Sequence, residues 1–371
     1  MRVVQLSVFA RAWAVQPARF AWLLGAGASA AAGVPTAARV MDDLLVRMYA
    51  GDFNVVRQSI DADDPAILAR IRAHYDGVNG LPKFGTPSDY SAVFEKAMPD
   101  EATRIAYLRQ LFSECTPCYG QRVLGATITT GLTDLVLTTN FDSLIQMAAT
   151  EAYASAGRVK RMLTVSGLQS TGRASTAISN SQWPALVKLH GDFQESKLKN
   201  LSSELQSQDQ TYRQFVIDAS RRFGLAVAGY SGRDQSVMDM LRIASEQPNA
   251  WPAGLWWLVR DPTHLSKSVL TVLDSASKAG VAVWVVHAEN FDETMGMLAD
   301  QADLEPSVRA YVNGLRPRGV VSDVPLPTGY TDDFPVLRLN ALPIVSAPTR
   351  VLHVGVSPNI TDKELRAKCM T

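Results

Sequence analysis

The sequence lacks an excess of charge of either sign. Lysine and arginine together number 36, as do aspartate and glutamate, so the formal net charge is zero. A protein that binds nucleic acid or an anionic membrane through its overall electric field carries many more basic than acidic residues, and this chain does not. We therefore expect neither direct nucleic-acid binding nor membrane attachment.

Long hydrophobic runs and cysteines are also scarce. No apolar run approaches the roughly 18 residues that span a bilayer, and Arg11 and Arg19 interrupt the segment where a signal peptide would carry its apolar core. Cys115 and Cys118 form a C-x-x-C pair, but Cys369 is the only further cysteine, too few for a disulfide framework or a cysteine-ligated structural zinc. The expected compartment is the cytoplasm, and we expect no bound metal.

The sequence contains enough apolar residues to form a substantial hydrophobic core, with 47% apolar and 19% charged residues. Short apolar runs that end in polar or glycine positions alternate with helical patterns, which predicts an α/β fold with a Rossmann-like parallel sheet flanked by helices. These runs lie at residues 20–25, 133–142, 185–193, 224–234, 254–260 and 281–290.

The other segments complete the predicted organisation. Residues 41–130 predict a mostly helical insertion, and the serine- and threonine-rich residues 161–183 predict a loop or a small excursion outside the core. We expect a catalytic domain over residues 1–305, followed by a short β-rich, proline-punctuated C-terminal appendage over 306–371 that is an interface or the start of a further domain.

Polar and glycine motifs follow four of the predicted strands. They are Gly25-Ala26-Gly27-Ala28-Ser29, Thr139-Asn140-Phe141-Asp142, His190-Gly191-Asp192 and Gly229-Tyr230-Ser231-Gly232-Arg233-Asp234. Glycines at the end of a strand let main-chain amides approach a phosphate, and a helix that begins there adds its positive dipole end. Since ligands of parallel sheets bind beyond the carboxyl ends of the strands, the four motifs should meet at one site.

Over residues 20–300 this set resembles the bacterial sirtuin-like family of NAD-hydrolysing (NADase) effectors of antiphage defence. The resemblance implies that NAD is the substrate and that Gly25, Ala26, Gly27 and Ser29 line its pyrophosphate. It also implies that Asp142 accepts a hydrogen bond from the nicotinamide carboxamide. The resemblance further implies that Gly229, Ser231 and Asp234 belong to the family's later cofactor-binding stretch.

The chemistry agrees with this assignment. Cleavage of the nicotinamide–ribose bond passes through an oxocarbenium-like transition state, and the cationic leaving group needs no general acid. The reaction needs a base, for which His190 is the candidate because imidazole titrates near neutrality, and a group such as Asn140 that holds the ribose or the attacking water. Local roles are also compatible with the motifs: Asn140 and Asp142 can cap the following helix, and Asp234 can be only an N-cap.

Three alternatives stay open. A dehydrogenase would need an acidic residue at the end of the second strand, but Asp42 and Asp43 fall in a helical pattern. A sirtuin-type protein deacylase would carry two C-x-x-C pairs after the His-Gly motif and a Pro-Asp-Phe-Arg segment, whereas Pro35 is followed here by Thr36-Ala37-Ala38-Arg39. A non-catalytic sensor of NAD, or of a nucleotide derived from it, could keep the binding motifs without turnover.

The family resemblance also implies a biological setting. Effectors of this kind deplete cellular NAD during abortive infection, so their activity must be gated. They commonly form homo-oligomers and take their trigger from a HerA-type ATPase, a short Argonaute or a fused sensor domain. We expect the region after residue 306 to help make such contacts.

Overall fold

The computed structural model describes residues 1–316, except 79, 87, 156–160, 168–175, 177–179, 181 and 191–209, together with 320–322 and 351–353. The chain divides into two compact units, Met1–Leu315 and Arg316–Thr371. The strands of the first unit are β1 Arg2–Gln5, β2 Phe20–Leu24, β3 Leu135–Thr138, β4 Thr164–Ser166, β5 Ala185–Lys188, β6 Gly224–Ala228, β7 Leu255–Val259 and β8 Val283–His287.

The α-helices of this unit surround the strands. In chain order they are α1 Leu6–Val15, α2 Ala37–Asp52, α3 Pro65–Tyr75, α4 Asp89–Ala97, α5 Glu101–Phe112, α6 Tyr119–Thr129, α7 Leu144–Ser155, α8 Gln210–Ser220, α9 Gln235–Ser245, α10 Lys267–Lys278, α11 Phe291–Gln301 and α12 Pro306–Leu315. None of the described helices is both long and apolar enough to cross a membrane.

The eight strands form one parallel sheet in the order β1-β8-β7-β6-β2-β3-β5-β4. From β2 the chain moves outward through β3 in one direction, and it later returns to β6 on the other side of β2. This reversal creates a topological switch point between β2 and β6, the position near which parallel sheets bind their ligands. The predicted α/β class is confirmed.

Helices cover both faces of the sheet because successive strand residues point to opposite sides. In β2, Ala21 and Leu23 face a core shared with α8, α9 and α10, whereas Phe20, Trp22 and Leu24 face a core shared with α1, α6, α11 and α12. All five residues of β2 are buried, as expected of a central strand covered on both faces.

The predicted helical insertion has a hydrophobic core of its own. Apolar side chains of α2, α3, α4 and α5 pack together, with Leu44, Leu45, Val93 and Phe94 at their centre. Helix α6, which also lies in the predicted range, packs instead on the sheet and on α7.

Two strands differ from the sequence prediction. Residues 161–183 were expected to form a loop, but Thr164–Ser166 is strand β4 and pairs with β5. Strand β1 was not predicted, and it pairs with β8. Both are short strands at the edges of the sheet and contain polar residues. Their composition therefore does not indicate a strand, and they are recognised only by their hydrogen bonds to a neighbouring strand.

Residues 306–315 were expected to begin the β-rich appendage, but they form helix α12 of the first unit, with Val308 and Val312 in its core. In the second unit, β9 Val320–Ser322 and β10 Val351–His353 pair antiparallel, and the remainder of residues 317–371 lies outside the described residues.

Candidate functional site

A cavity of about 200 Å³ lies beyond the carboxyl ends of β2, β3, β5 and β6, which are neighbours in the sheet. It occupies the position that the switch point predicts for a ligand. Most of the site residues predicted from the sequence line it, namely Ala26, Asn140, Asp142, His190, Gly229, Ser231 and Asp234. The other predicted site residues, Gly25, Gly27 and Ser29, lie behind this lining.

The two glycines after β2 pack against the loop after β6. Gly25 N–H donates to the carbonyl of Ala228, and Gly27 N–H donates to that of Gly229. A Cβ atom on Gly25 would lie 2.6 Å from the Gly229 oxygen and from the Tyr230 Cα, and one on Gly27 would lie 2.8 Å from the Gly229 Cα. The closeness of two backbones therefore accounts for both glycines, and Ala26 is the residue of this turn that reaches the cavity.

The Ser29 hydroxyl is a buried hydrogen-bonding centre behind the cavity wall. It donates to Asp142 Oδ2 at 2.9 Å and accepts from Asn140 Nδ2 at 3.0 Å and from Gln121 Nε2 at 2.9 Å. One donor and two acceptor sites are all that a hydroxyl has. Ser29 is thus fully used in holding other side chains.

The orientation of the Asn140 amide follows from these contacts. Its Nδ2 donates to Ser29 Oγ and to the carbonyl of Gly25 at 3.1 Å, and since a carbonyl only accepts, the nitrogen must be on that side. Oδ1 has no hydrogen-bond partner among the described residues and is the polar atom left for the cavity. Asn140 therefore presents an acceptor to a ligand or water.

Gln121 was not predicted from the sequence. Its Oε1 accepts from the Cys118 N–H at 3.0 Å in the capping box that begins α6, while its Nε2 reaches Ser29. A glutamine at the third position of a helix is the capping signal that could have placed it locally, but its contact with Ser29 depends on the tertiary fold.

His190 and Asp234 form an ion pair at the cavity although they follow different strands. His190 Nε2 contacts Asp234 Oδ2, and both side chains are about nine-tenths buried. Both partners of this contact are charged only when the imidazole is protonated. Asp234 Oδ1 caps α9 by accepting from the N–H groups of Ser236 and Val237 and from the Ser236 hydroxyl.

The ionisation of Asp234 follows from these contacts. Burial alone would raise the pKa of this carboxyl, but the nearby His190 and the hydrogen bonds from Ser236 and Val237 outweigh it and lower the pKa. The pair leaves His190 Nδ1 without a hydrogen bond in the described chain. Unlike Nε2, Nδ1 is not among the enclosed polar atoms, so it is the ring nitrogen open to the cavity.

Lys188 is a further polar residue beneath the site. It ends β5, is 1% exposed, and donates from Nζ to the carbonyls of Phe141 and Asp142 at 3.2 and 2.5 Å. The sequence signal was a lysine within the apolar run "ALVKLHG", because a fully buried lysine must find acceptors.

The helical insertion supplies the opposite wall of the cavity. Tyr90 and Leu108 belong to α4 and α5, and Phe112 ends α5. Arg233 lines the mouth, is exposed, and has no ion-pair partner in the described part of the chain. The wall from the insertion is thus mostly apolar and aromatic, but it also contains the buried polar side chains of Asp89 and Ser91.

The residues on which the alternative functions or a metal site would depend have other roles in the structure. Asp42 and Asp43 lie within α2 and pair with Arg72 and Arg47, not with a strand end. Cys118 caps α6, and burial, followed by a hydrogen bond with Asp292, raises the pKa of its thiol to about 12. Among the described residues, no three His, Cys, Asp or Glu side chains are grouped to hold a metal.

Residues 134–278 match the family model of the SIR2-like domain. The matched range includes the strand ends that carry Asn140, Asp142, His190 and Asp234. The glycine turn after β2 lies outside the matched range. No curated protein matches the sequence.

Solved structures of Sir2 homologues are similar to this chain. One is a Sir2 homologue in complex with NAD, with 14% sequence identity, a TM-score of 0.41, and coverage of 85% of this chain and 97% of that chain. Another is a point mutant of a Sir2 homologue in complex with ADP-ribose, with 12% identity, a TM-score of 0.41, and coverage of 82% and 97%.

Proposed function

We propose that the protein is an NAD glycohydrolase that cleaves the nicotinamide–ribose bond of NAD. The observation that carries the proposal is that an imidazole nitrogen, His190 Nδ1, and an amide oxygen, Asn140 Oδ1, are open to the same cavity at the switch point of the sheet. Hydrolysis of this bond needs acceptors for the protons of water or of a ribose hydroxyl, and it needs no general acid because the leaving group is a cation.

Different residues of the cavity would perform the separate steps of binding and hydrolysis. His190 takes a proton at Nδ1, and Asn140 orients water or a ribose hydroxyl through Oδ1. Asp142, held by Ser29, would accept a hydrogen bond from the carboxamide. Arg233 and Ser231 at the mouth are a cation and a hydroxyl suited to a phosphate. The apolar wall from the insertion excludes water from the rest of the cavity.

We further propose that the enzyme is a gated effector that depletes NAD in bacterial antiphage defence and acts in the cytoplasm as a homo-oligomer. This part rests on the family resemblance of the motifs. The trigger would come from a HerA-type ATPase, a short Argonaute or a fused sensor domain, with the region after residue 306 contributing contacts.

The test is nicotinamide release from NAD by the purified chain at several protein concentrations, beside Asn140→Ala and His190→Ala. We expect release by the parent chain and a loss of roughly 10²- to 10⁴-fold in each variant, which is the usual contribution of a positioned base. A steep dependence on protein concentration would support gating by assembly.

Other outcomes identify the alternatives. Binding of NAD without release by the parent chain, even with the candidate partners added, would support the sensor. Nicotinamide release that requires an acetyl-lysine peptide would support the deacylase, and formation of reduced cofactor would support a dehydrogenase. Each of these results would overturn the glycohydrolase.

A further inference from the structure

The two oxygens of Asp234 have separate partners. Oδ1 accepts from Ser236 N–H at 3.0 Å, from Ser236 Oγ at 2.9 Å and from Val237 N–H at 3.3 Å, and this fixes the carboxylate to the first turn of α9. Oδ2 is thereby directed at His190 Nε2. The helix cap thus sets the direction from which a negative charge meets the imidazole.

We propose that Asp234 is a positioning residue that fixes the tautomer of His190. A carboxylate only accepts, so it holds the proton on Nε2, and the lone pair of Nδ1 is left facing the cavity. The inference takes from the proposed function only the role of His190 as the base. The sequence predicted that Asp234 binds the cofactor. In this proposal both of its carboxylate oxygens instead contact groups of the protein itself.

Several features make this arrangement specific. Among the residues that the structure describes, Asp234 is the carboxylate within ion-pair distance of the His190 ring. The other charged side chains that line the cavity in the described part of the chain are Asp89, Asp142 and Arg233. Asp142 is directed at Ser29 and at the N–H of Leu144, whereas the carboxylate in contact with Nε2 is that of Asp234.

The negative charge of Asp234 can be removed by substitution without losing the N-cap of α9, because asparagine and serine are also favoured N-cap residues. In Asp234→Asn, the side-chain oxygen stays with the N–H groups of α9, so the amide NH₂ must face His190. A donor there requires Nε2 to accept, which places the ring proton on Nδ1. In Asp234→Ser, the hydroxyl caps the helix but is too short to hold either tautomer.

The experiment is ¹⁵N NMR of protein labelled only at histidine, recorded at increasing pH until the ring signals no longer change. The chain has five histidines, and His190→Ala assigns the signal. We expect the Nε2–H form in the parent chain, the Nδ1–H form in Asp234→Asn and a mixture in Asp234→Ser. The matched control is Asp261→Asn, since Asp261 pairs with His264 on the surface at 2.6 Å. It should leave the His190 signal unchanged.

Activity supplies the second readout. For nicotinamide release we expect kcat to fall by roughly 10²- to 10⁴-fold in Asp234→Asn, with little change in KM. Asp234→Ser should keep more activity than Asp234→Asn, although asparagine is closer to aspartate in shape. Thermal denaturation should show both variants folded.

The Nε2–H form persisting in Asp234→Asn, or an Nδ1–H form in the parent chain, would overturn the proposal. Failure of the proposed function gives a different pattern. The parent chain would then release no nicotinamide, while the NMR signals would still decide which tautomer Asp234 selects.

Discussion

The ammonium of Lys188 donates a hydrogen bond to the main-chain carbonyl of Asp142 at 2.5 Å, beneath the loop that carries Asn140 and Asp142. It donates to the carbonyl of Phe141 as well. A buried cation therefore connects the end of β5 to the loop after β3, and two motifs distant in sequence share one support.

Lys188→Met should destabilise the protein and lower its activity together. Methionine fills a similar volume but leaves the two carbonyls without their donor, which costs about 1–3 kcal/mol per buried group. The free energy of unfolding in urea and nicotinamide release measure the two effects. Lys278→Met is the control, because Lys278 is exposed and its pair with Asp274 should contribute less than about 1 kcal/mol. Equal stability of the two variants would contradict the prediction.

Ser29→Ala should reduce activity through Asn140. Without the hydroxyl, Gln121 and Asn140 each lose an acceptor and Asp142 loses a donor, so the asparagine amide is no longer fixed. We expect the free energy of unfolding to fall by about 1–3 kcal/mol and kcat to fall more than KM changes. Ser113→Ala removes an exposed hydroxyl that contacts only the carbonyl of Gln110, and it should match the parent chain in both measurements.

Gly25→Ala and Gly51→Ala should change stability in opposite directions. A Cβ at residue 25 meets the backbone of Gly229 and Tyr230 at 2.6 Å, so the loops after β2 and β6 must separate. At residue 51, near the end of α2, a Cβ meets nothing within 4 Å, and alanine should stabilise by up to about 1 kcal/mol. Thermal denaturation of both variants tests the pair, and a stabilised Gly25→Ala would refute the close packing.

Asp43→Asn should remove a pH-dependent contribution to the stability of the insertion. Burial raises the pKa of Asp43, but hydrogen bonds from Arg47 and Tyr107 and the charges of Arg47 and Arg57 outweigh it, so the pKa is lowered from its ordinary value of 3.8. A carboxyl with a lowered folded-state pKa stabilises the fold above its unfolded-state pKa, and this contribution is lost as the pH falls through the folded-state value.

The difference in free energy of unfolding between the parent chain and Asp43→Asn should therefore be largest above about pH 5 and shrink below about pH 4. Urea denaturation across this range measures it. Asp303→Asn, at an exposed position, should show no such trend. A constant difference for Asp43→Asn would mean that the carboxylate is not the stabilising form.

The sequence could predict the parts of this site that depend on local patterns. Asn140 and His190 follow buried apolar runs, and in a parallel sheet such positions share one edge. Contacts that depend on strand order could not be predicted. Gln121 meets Ser29 across 92 residues, and His190 meets Asp234, because β5, β3, β2 and β6 lie side by side in an order that differs from the chain order.

The fold, like the site, could be predicted from the sequence only where local patterns determine it. Central strands such as β2 were predictable because burial on both faces requires a continuous apolar run. Strands β1 and β4 carry polar residues at the sheet edges, and their hydrogen-bonded neighbours define them. The glycine turn had a signal compatible with two causes, a phosphate or a second backbone, and only the position of Gly229 shows the contact that fills the space.

The cavity has walls from two parts of the fold, the strand ends of the sheet on one side and the insertion, which has a hydrophobic core of its own, on the other. Proton-handling groups and shape-determining groups are thus encoded in separate parts of the gene. Substitutions at Tyr90, Leu108 or Phe112 change the shape of the cavity, whereas the hydrogen bonds of Asn140 and the contact between His190 and Asp234 are made by residues of the strand ends. A lineage could therefore acquire a new substrate preference while its reaction chemistry stays the same.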